Sequence, residues 1–81
     1  MNYFVYILQS EKDESFYIGY SIDPIKRLVK HNSANKGYTA SKKPWKIVYT
    51  EIFDNKTDTI LRERFLKKQK NKLFYKQLIN G

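Results

Sequence analysis

The sequence contains no cysteine and no long apolar run. Without cysteine, a disulfide scaffold and every thiolate metal site are excluded, and a reducing compartment is the default expectation. The apolar run at the amino terminus, residues 1–8, has no basic leader and stops at Gln9, so it is too short for a signal peptide or a membrane span. These absences predict a cytoplasmic protein with no membrane partner, and they favour a strand at the amino terminus.

The chain is short. Its 81 residues predict one domain, 1–81, with no room for a second catalytic domain. A chain of this length buries only ~60% of the surface that its unfolded form exposes, so we expect a small core. No internal repeat or low-complexity segment is present.

Acidic residues are half as frequent as basic ones. Eight Asp and Glu stand against sixteen Lys and Arg, which gives a formal net charge of +8 at pH 7. Much of the excess lies near the carboxyl terminus, because residues 62–76 contain seven basic side chains and one acid. Nucleic acid is a natural partner for such a surface, since each neutralised phosphate releases condensed counterions. A lysine-rich solvated surface is the alternative that charge alone leaves open.

Three strands are predicted. Tyr3–Gln9 and Phe16–Tyr20 are rich in aromatic and β-branched residues and flank a polar loop, so we expect them to pair as an antiparallel hairpin. Both faces of the hairpin carry apolar side chains, which predicts that the sheet is covered on both sides. The third strand is Trp45–Phe53. Its alternation is expected to place three large residues on one face: Trp45, Ile47 and Tyr49.

The first helix is predicted to begin at Asp23–Pro24, because Asp accepts hydrogen bonds from free amides and Pro fits the first turn. It runs to about His31. Its apolar residues have the spacing of a core-facing stripe: Ile25, Leu28 and Val29. The lysines between them, Lys26 and Lys30, are then expected to point outward. Arg27 and His31, four residues apart, lie together on a flanking stripe.

The rest of the chain completes the predicted fold. Residues 32–44 are glycine-containing and polar, and they are predicted to form an irregular basic loop. A second helix is expected to be capped by Asp54 or Thr57 and to run to about Lys68, and Asn71 is expected to cap a third. The order β-β-α-β-α-α predicts an α+β fold, in which helices flank a three-stranded antiparallel sheet.

Glu63 is an acid among apolar neighbours. Ile60 precedes it by three residues and Leu66 follows it by three, so its carboxylate shares a partly apolar helix stripe. Charges are seldom placed there without a partner, and Mg²⁺ is one such partner. The alternative is a surface ion pair with Lys67 at the favourable i, i+4 spacing, worth ~0.3–0.5 kcal/mol.

Arg27 and His31 are candidates for phosphate chemistry. The planar guanidinium of Arg27 can donate two hydrogen bonds to adjacent phosphate oxygens and stays charged. A structural ion pair with a surface acid is the alternative. His31, one turn later, is a candidate second phosphate contact or proton carrier, although a lone helical histidine is more often neither.

Most of the tyrosines and phenylalanines are expected to fill the core and the sheet. Tyr6 and Tyr17 differ, because they fall on adjacent strands just before the helix that carries Arg27, and Gly19 beside Tyr17 allows another group to approach closely. A tyrosine hydroxyl has a reference pKa of ~10, so it acts as a base near neutrality only if a cation lowers that value. Arg27 or a metal ion would supply the charge.

The order of the motifs adds to these observations. The motifs are Val5-Tyr6-Ile7, then Tyr17-Ile18-Gly19 with ten residues between Tyr6 and Tyr17, then Pro24 to His31, then Pro44 to Tyr49, and finally Arg62-Glu63 with Leu66-Lys67. This ordered set resembles the GIY-YIG endonuclease superfamily over nearly the whole chain. It is most similar to the small stand-alone bacterial branch. The first triplet departs from the family pattern, because it begins with Val5 where the pattern has glycine.

The resemblance implies a hydrolase: a metal-dependent phosphodiesterase with Mg²⁺ or Mn²⁺ as cofactor. Tyr6 resembles the tyrosine that accepts a proton from the attacking water, and Tyr17 resembles its companion. Arg27 resembles the arginine that contacts the scissile phosphate, and Glu63 resembles the carboxylate that binds the metal. His31 matches a histidine found in many branches.

On this interpretation the chain is a DNA endonuclease, nonspecific or structure-selective, acting in DNA repair or processing, with RNA as an alternative substrate. Six basic residues are expected to contact nucleic acid: Lys26, Lys30, Lys42, Lys43, Arg62 and Lys67. No small-molecule cofactor is expected, and the oligomeric state is left open. The alternatives are a noncatalytic nucleic-acid-binding module of the same fold and an adaptor whose basic helices bind an acidic protein.

Overall fold

The structure of the protein, a computed structural model, describes residues 1–81. Its elements are β1 (Tyr3–Ser10), β2 (Phe16–Ser21), α1 (Pro24–Ser33), α2 (Tyr38–Lys42), β3 (Trp45–Phe53), α3 (Lys56–Gln69) and α4 (Lys72–Asn80). The predicted α+β class and the order of its six elements are confirmed, and one short helix is added to them. No helix combines the length and the apolar character that crossing a lipid bilayer requires.

The three strands form one sheet with β1 in the centre, in the order β2-β1-β3, and both pairings are antiparallel. The central position of β1 places Tyr6 opposite Gly19 of β2 on one side and Thr50 of β3 on the other. The predicted hairpin and the antiparallel third strand are therefore confirmed.

Each face of the sheet has its own apolar cluster, as predicted. On the face that α3 and α4 cover, the buried residues are Val5, Ile7, Ile18, Leu66 and Tyr75. On the opposite face, Tyr6, Leu8 and Trp45 are buried, and Leu28 of α1 packs against them. Burying a large apolar side chain stabilises a fold by ~1.5–3 kcal/mol, so these clusters fix where the central strand sits.

The predicted alternation in β3 is wrong from Tyr49 onward, because the strand contains a bulge. Ile7 of β1 pairs with Tyr49, whereas Leu8 pairs with Ile47, so one residue of β3 has no partner in β1. An extra residue reverses the side-chain alternation beyond it. Tyr49 therefore packs on the α3 face, while Trp45 and Ile47 pack on the α1 face.

The predicted core-facing stripe of α1 is also wrong. Ile25 is 65% exposed and Val29 is 61% exposed, and only Leu28 of the three is partly covered. The helix instead turns His31 and Asn32 toward the sheet, where Tyr6 and the Trp45 backbone supply hydrogen-bond partners.

Two helix starts differ from the prediction. The segment 32–44 contains α2, which begins after Gly37 with φ at 89° and is held by a hydrogen bond from Trp45 Nε1 to the carbonyl of Thr39. Helix α3 is capped by Asn55, whose side chain accepts from the Asp58 amide, so neither Asp54 nor Thr57 is the cap. The predicted cap of α4 at Asn71 is confirmed.

Candidate active site

The ring of Tyr6 lies over the backbone of Gly19. A Cβ atom at position 19 would stand 2.6 Å from Oη and 2.8 Å from Cζ of Tyr6, closer than real Cβ contacts allow. The same atom would stand 3.3 Å from the ring of Tyr17. The glycine therefore creates the space in which the two tyrosines meet, as its position in the sequence predicted.

His31 completes a cluster of three rings. Its Nε2 atom lies 3.2 Å from Oη of Tyr6, and its ring centroid lies 4.7 Å from that of Tyr17. Tyr6 and Tyr17 come from β1 and β2, while His31 comes from the last part of α1. The first three elements of the chain thus bring these rings together.

The Tyr6 hydroxyl is held in its neutral form. Burial raises the pKa of Tyr6 to about 12, and the neighbouring Tyr17 and the Glu63 carboxylate act in the same direction. The Arg27 guanidinium lowers the pKa of Tyr6, as expected of a cation, but the effect of burial is larger. Both charges thus act on the pKa of the hydroxyl, that of Arg27 from α1 and that of Glu63 from α3.

His31 is also neutral near physiological pH. Burial lowers the pKa of His31, and the positive charges of Arg27 and Lys30 lower it further. When a neutral imidazole carries its proton on Nδ1, Nε2 is free to accept a hydrogen bond from the Tyr6 hydroxyl. The site thus joins a neutral phenol to an unprotonated base.

Arg27 is exposed on α1 and borders an open cleft of ≈ 570 Å³. The cleft is lined by Tyr20, Ser21, Ile22, Asp23, Lys26 and Arg27. A guanidinium at such a rim can present two of its N–H donors to an anion that enters from solvent. The cleft therefore gives an anion from solvent access to Arg27.

Glu63 is mostly covered on α3. Its side chain is 13% exposed, and Oε2 lies 3.4 Å from Nζ of Lys67, whose side chain is 52% exposed. The ion pair that was the alternative interpretation is present. The Glu63 carboxylate also contributes to the raised pKa of Tyr6.

The donor set at Glu63 fits a hard divalent cation. No group of three or more His, Cys, Asp or Glu residues is close enough to hold a metal, so a closed zinc-type cage is absent. Mg²⁺ is commonly bound by one or two carboxylates together with water and substrate phosphate, and Mn²⁺ prefers the same oxygen ligands. Lys67, long and half exposed, can move aside for such an ion.

The six predicted nucleic-acid contacts fall into two groups. Lys26 and Lys30 are exposed on α1, on either side of Arg27, and neither forms an ion pair. The other four bind within the protein: Lys42 to Asp13, Lys43 to the Ala34 carbonyl, Arg62 to Glu51, and Lys67 to Glu63. Arg62 donates two hydrogen bonds of 2.9 Å to Glu51, so both arms of its fork are engaged.

Sequence reasoning missed Asn32. Its amide Nδ2 donates to the Trp45 carbonyl at 3.1 Å, and the Trp45 N–H donates to its Oδ1 at 2.6 Å. The only signal in the sequence was its position next to His31, since the partner lies thirteen residues further along the chain.

Known proteins share this architecture. The profile of the GIY-YIG catalytic domain matches residues 2–78. The UPF0213 protein CPE1444 of Clostridium perfringens is 45% identical over 69 residues, which cover 84% of this chain and 72% of that protein. The UPF0213 protein SSP2268 of Staphylococcus saprophyticus is 39% identical over 66 residues, covering 80% and 79%. The solution NMR structure of the UPF0213 protein BH0048 from Bacillus halodurans has a TM-score of 0.59 at 33% identity, covering 99% of this chain and 84% of that one.

Proposed function

Since the chain belongs to the GIY-YIG family, we propose that it is a metal-dependent endonuclease that hydrolyses phosphodiester bonds of DNA. The proposal rests on the groups that surround the hydroxyl of Tyr6. Tyr6 Oη lies 3.2 Å from an imidazole nitrogen and feels both the charge of Arg27 and that of Glu63. A base, a cation and a carboxylate that act on one hydroxyl are the kinds of group that phosphodiester hydrolysis needs, which supports the proposal.

Arg27 binds the scissile phosphate. Its exposed guanidinium donates to two non-bridging oxygens and offsets the charge that develops on them. The same guanidinium lowers the pKa of the Tyr6 hydroxyl, which supports a bound phosphate beside Oη. Lys26 and Lys30 extend the positive surface along α1 and hold the adjoining phosphates.

The attacking water loses its proton through Tyr6 to His31. A phenol whose pKa is about 12 is a weak candidate for a standing phenolate base. The hydrogen bond to Nε2 removes this difficulty, because Oη can accept the proton of the water while it passes its own proton to His31. The lowered pKa of His31 keeps Nε2 free to accept at neutral pH.

Glu63 would hold the metal ion, and Lys67 would leave the carboxylate when it binds. When bound, Mg²⁺ or Mn²⁺ supplies Lewis-acid stabilisation of the phosphate and of the leaving oxygen. Tyr17 packs against the imidazole and keeps the ring of His31 facing Tyr6.

The proposed contacts on α1 are all to phosphate, which positions a strand without reading its bases. We therefore propose a nonspecific or structure-selective activity, in DNA repair or processing, with RNA as a second substrate to be tested. A noncatalytic nucleic-acid-binding role is the alternative function, favoured by the Lys67 ion pair that occupies the one proposed metal ligand.

The test is cleavage of labelled flapped, branched and single-stranded DNA, and of a matched RNA, in Mg²⁺ or Mn²⁺. The wild type is compared with Glu63→Gln and with Glu11→Gln, which removes the same charge from an exposed loop. We expect Glu11→Gln to cleave at the wild-type rate and Glu63→Gln to be slower by ~10²–10³-fold, as for loss of a group that stabilises transition-state charge. Salt-sensitive binding without cleavage, unchanged by EDTA, would instead establish the noncatalytic alternative.

A further inference from the structure

Helix α1 carries both Arg27 and His31, yet it has no buried residue. Its apolar contact with the sheet comes from Leu28, which packs on the cluster around Tyr6 and Trp45. Most helices are fixed by an apolar face, which α1 lacks because Ile25 and Val29 are exposed. The orientation of its catalytic groups must therefore depend on specific polar contacts.

The two hydrogen bonds of Asn32 are such a contact. Trp45 is the first residue of β3, which is an edge strand of the sheet. The side-chain amide of Asn32 forms hydrogen bonds with both the backbone N–H and the backbone carbonyl of Trp45. The amide thus occupies the place that a neighbouring strand would take. Trp45 is a firm anchor, because it is 2% exposed, pairs with Ser10, and donates through its ring nitrogen to Thr39.

Apart from this amide and the contacts of His31 with Tyr6 and Tyr17, few hydrogen bonds hold the last turn of α1. Its final amide contact, from Ala34 to the His31 carbonyl, is 3.4 Å long, and the Ala34 carbonyl accepts from the exposed Lys43. Helix ends with few contacts fray. His31 lies in this turn, directly before Asn32.

We propose that Asn32 is a positioning residue whose amide ties the end of α1 to the Trp45 backbone and thereby fixes His31 against Tyr6 and Tyr17. Only a side chain with a donor and an acceptor on one short stem can make both bonds. Aspartate keeps the acceptor but turns a second oxygen toward the Trp45 carbonyl, and alanine removes both. The predicted effect on catalysis rests on the proposed function, whereas the effect on His31 does not.

His31 is the only histidine, so its ring signals in an NMR spectrum need no separation from others. The experiment compares the wild type with Asn32→Ala, Asn32→Asp and the control Asn35→Ala, which alters an exposed asparagine of the same segment. We expect nuclear Overhauser effects between the rings of His31 and Tyr17 in the wild type and in Asn35→Ala. In Asn32→Ala and Asn32→Asp they should weaken or vanish, while far-UV circular dichroism stays native.

In DNA cleavage, Asn32→Ala should lower kcat by up to ~100-fold, the effect of a displacement of about 1 Å, with KM within about twofold of the wild type. If folded Asn32→Ala or Asn32→Asp keeps the ring contacts of His31, the proposal is wrong. It is also overturned if both variants fail to fold, because Asn32 would then support the whole fold. A wild type that cleaves nothing refutes the proposed function and leaves the NMR result to decide the role of Asn32.

Discussion

Substitution of Gly19 by alanine tests how the two tyrosines are brought together. The new Cβ would lie 2.6 Å from Oη of Tyr6, so the ring must move by about 0.8 Å to reach an ordinary contact of 3.4 Å. Tyr6 is 1% exposed, and its ring has little room to move. The backbone of Gly19 has no positive φ, so the substitution acts through space and not through backbone strain.

The expected loss of stability follows from two opposing terms. Overpacking a tight core costs ~1–3 kcal/mol. Replacing glycine by alanine within a strand stabilises the fold by ~0.5–1 kcal/mol, because alanine loses less backbone entropy on folding. We expect a net decrease of about 1–2 kcal/mol in the free energy of unfolding, measured by urea titration of Trp45 fluorescence. In cleavage assays, a hydroxyl displaced by almost 1 Å should lower kcat by up to ~100-fold.

The double variant Tyr6→Phe/Gly19→Ala is the control. Removing Oη relieves the shortest contact and leaves the one at 2.8 Å to Cζ, so the cost of the alanine should be smaller in the Phe background. A Gly19→Ala protein with wild-type stability, or the same loss in both backgrounds, would show that Tyr6 does not fill this space.

Three further predictions concern protons. In a spectrophotometric titration of the seven tyrosines, one phenol should ionise near pH 12 and be absent in Tyr6→Phe. Because this folded pKa exceeds the unfolded value of ~10, stability that is present below pH ~10 should be lost as the pH rises toward 12, and less so in Tyr6→Phe. The proton relay requires neutral His31, whose pKa is lowered by burial and by Arg27 and Lys30, so kcat should fall with decreasing pH through a midpoint below 6.5. A midpoint above 6.5, or the same acidic limb in His31→Ala, would argue against the relay.

The sequence was informative where local chemistry decides the structure. The hairpin, the Asp23 and Asn71 caps, and the approach that Gly19 permits all depend on residues close in sequence or directly opposite in a register set by a short loop. The ordered motifs then indicated which polar residues to consider together.

The wrong predictions concern features that depend on a residue distant in sequence. The inward face of α1 carries His31 and Asn32 because their partners are on other elements, and apolar spacing cannot reveal those partners. The bulge in β3 depends on its register with β1, and the engagement of Arg62 depends on Glu51 of another element. The pKa of Tyr6 rises because burial outweighs a cation, a balance that only the packed structure defines.

The most direct measurement is a titration of isotopically labelled protein with Mn²⁺, observed by NMR. Paramagnetic broadening should concentrate on Glu63 and on the residues gathered around the Tyr6 hydroxyl: Tyr6, Tyr17, Arg27 and His31. It should disappear in Glu63→Gln and persist in Glu11→Gln. Broadening centred on the acids of the β1–β2 loop, 11–14, or broadening that survives Glu63→Gln, would contradict a single metal-dependent site at this point of the fold.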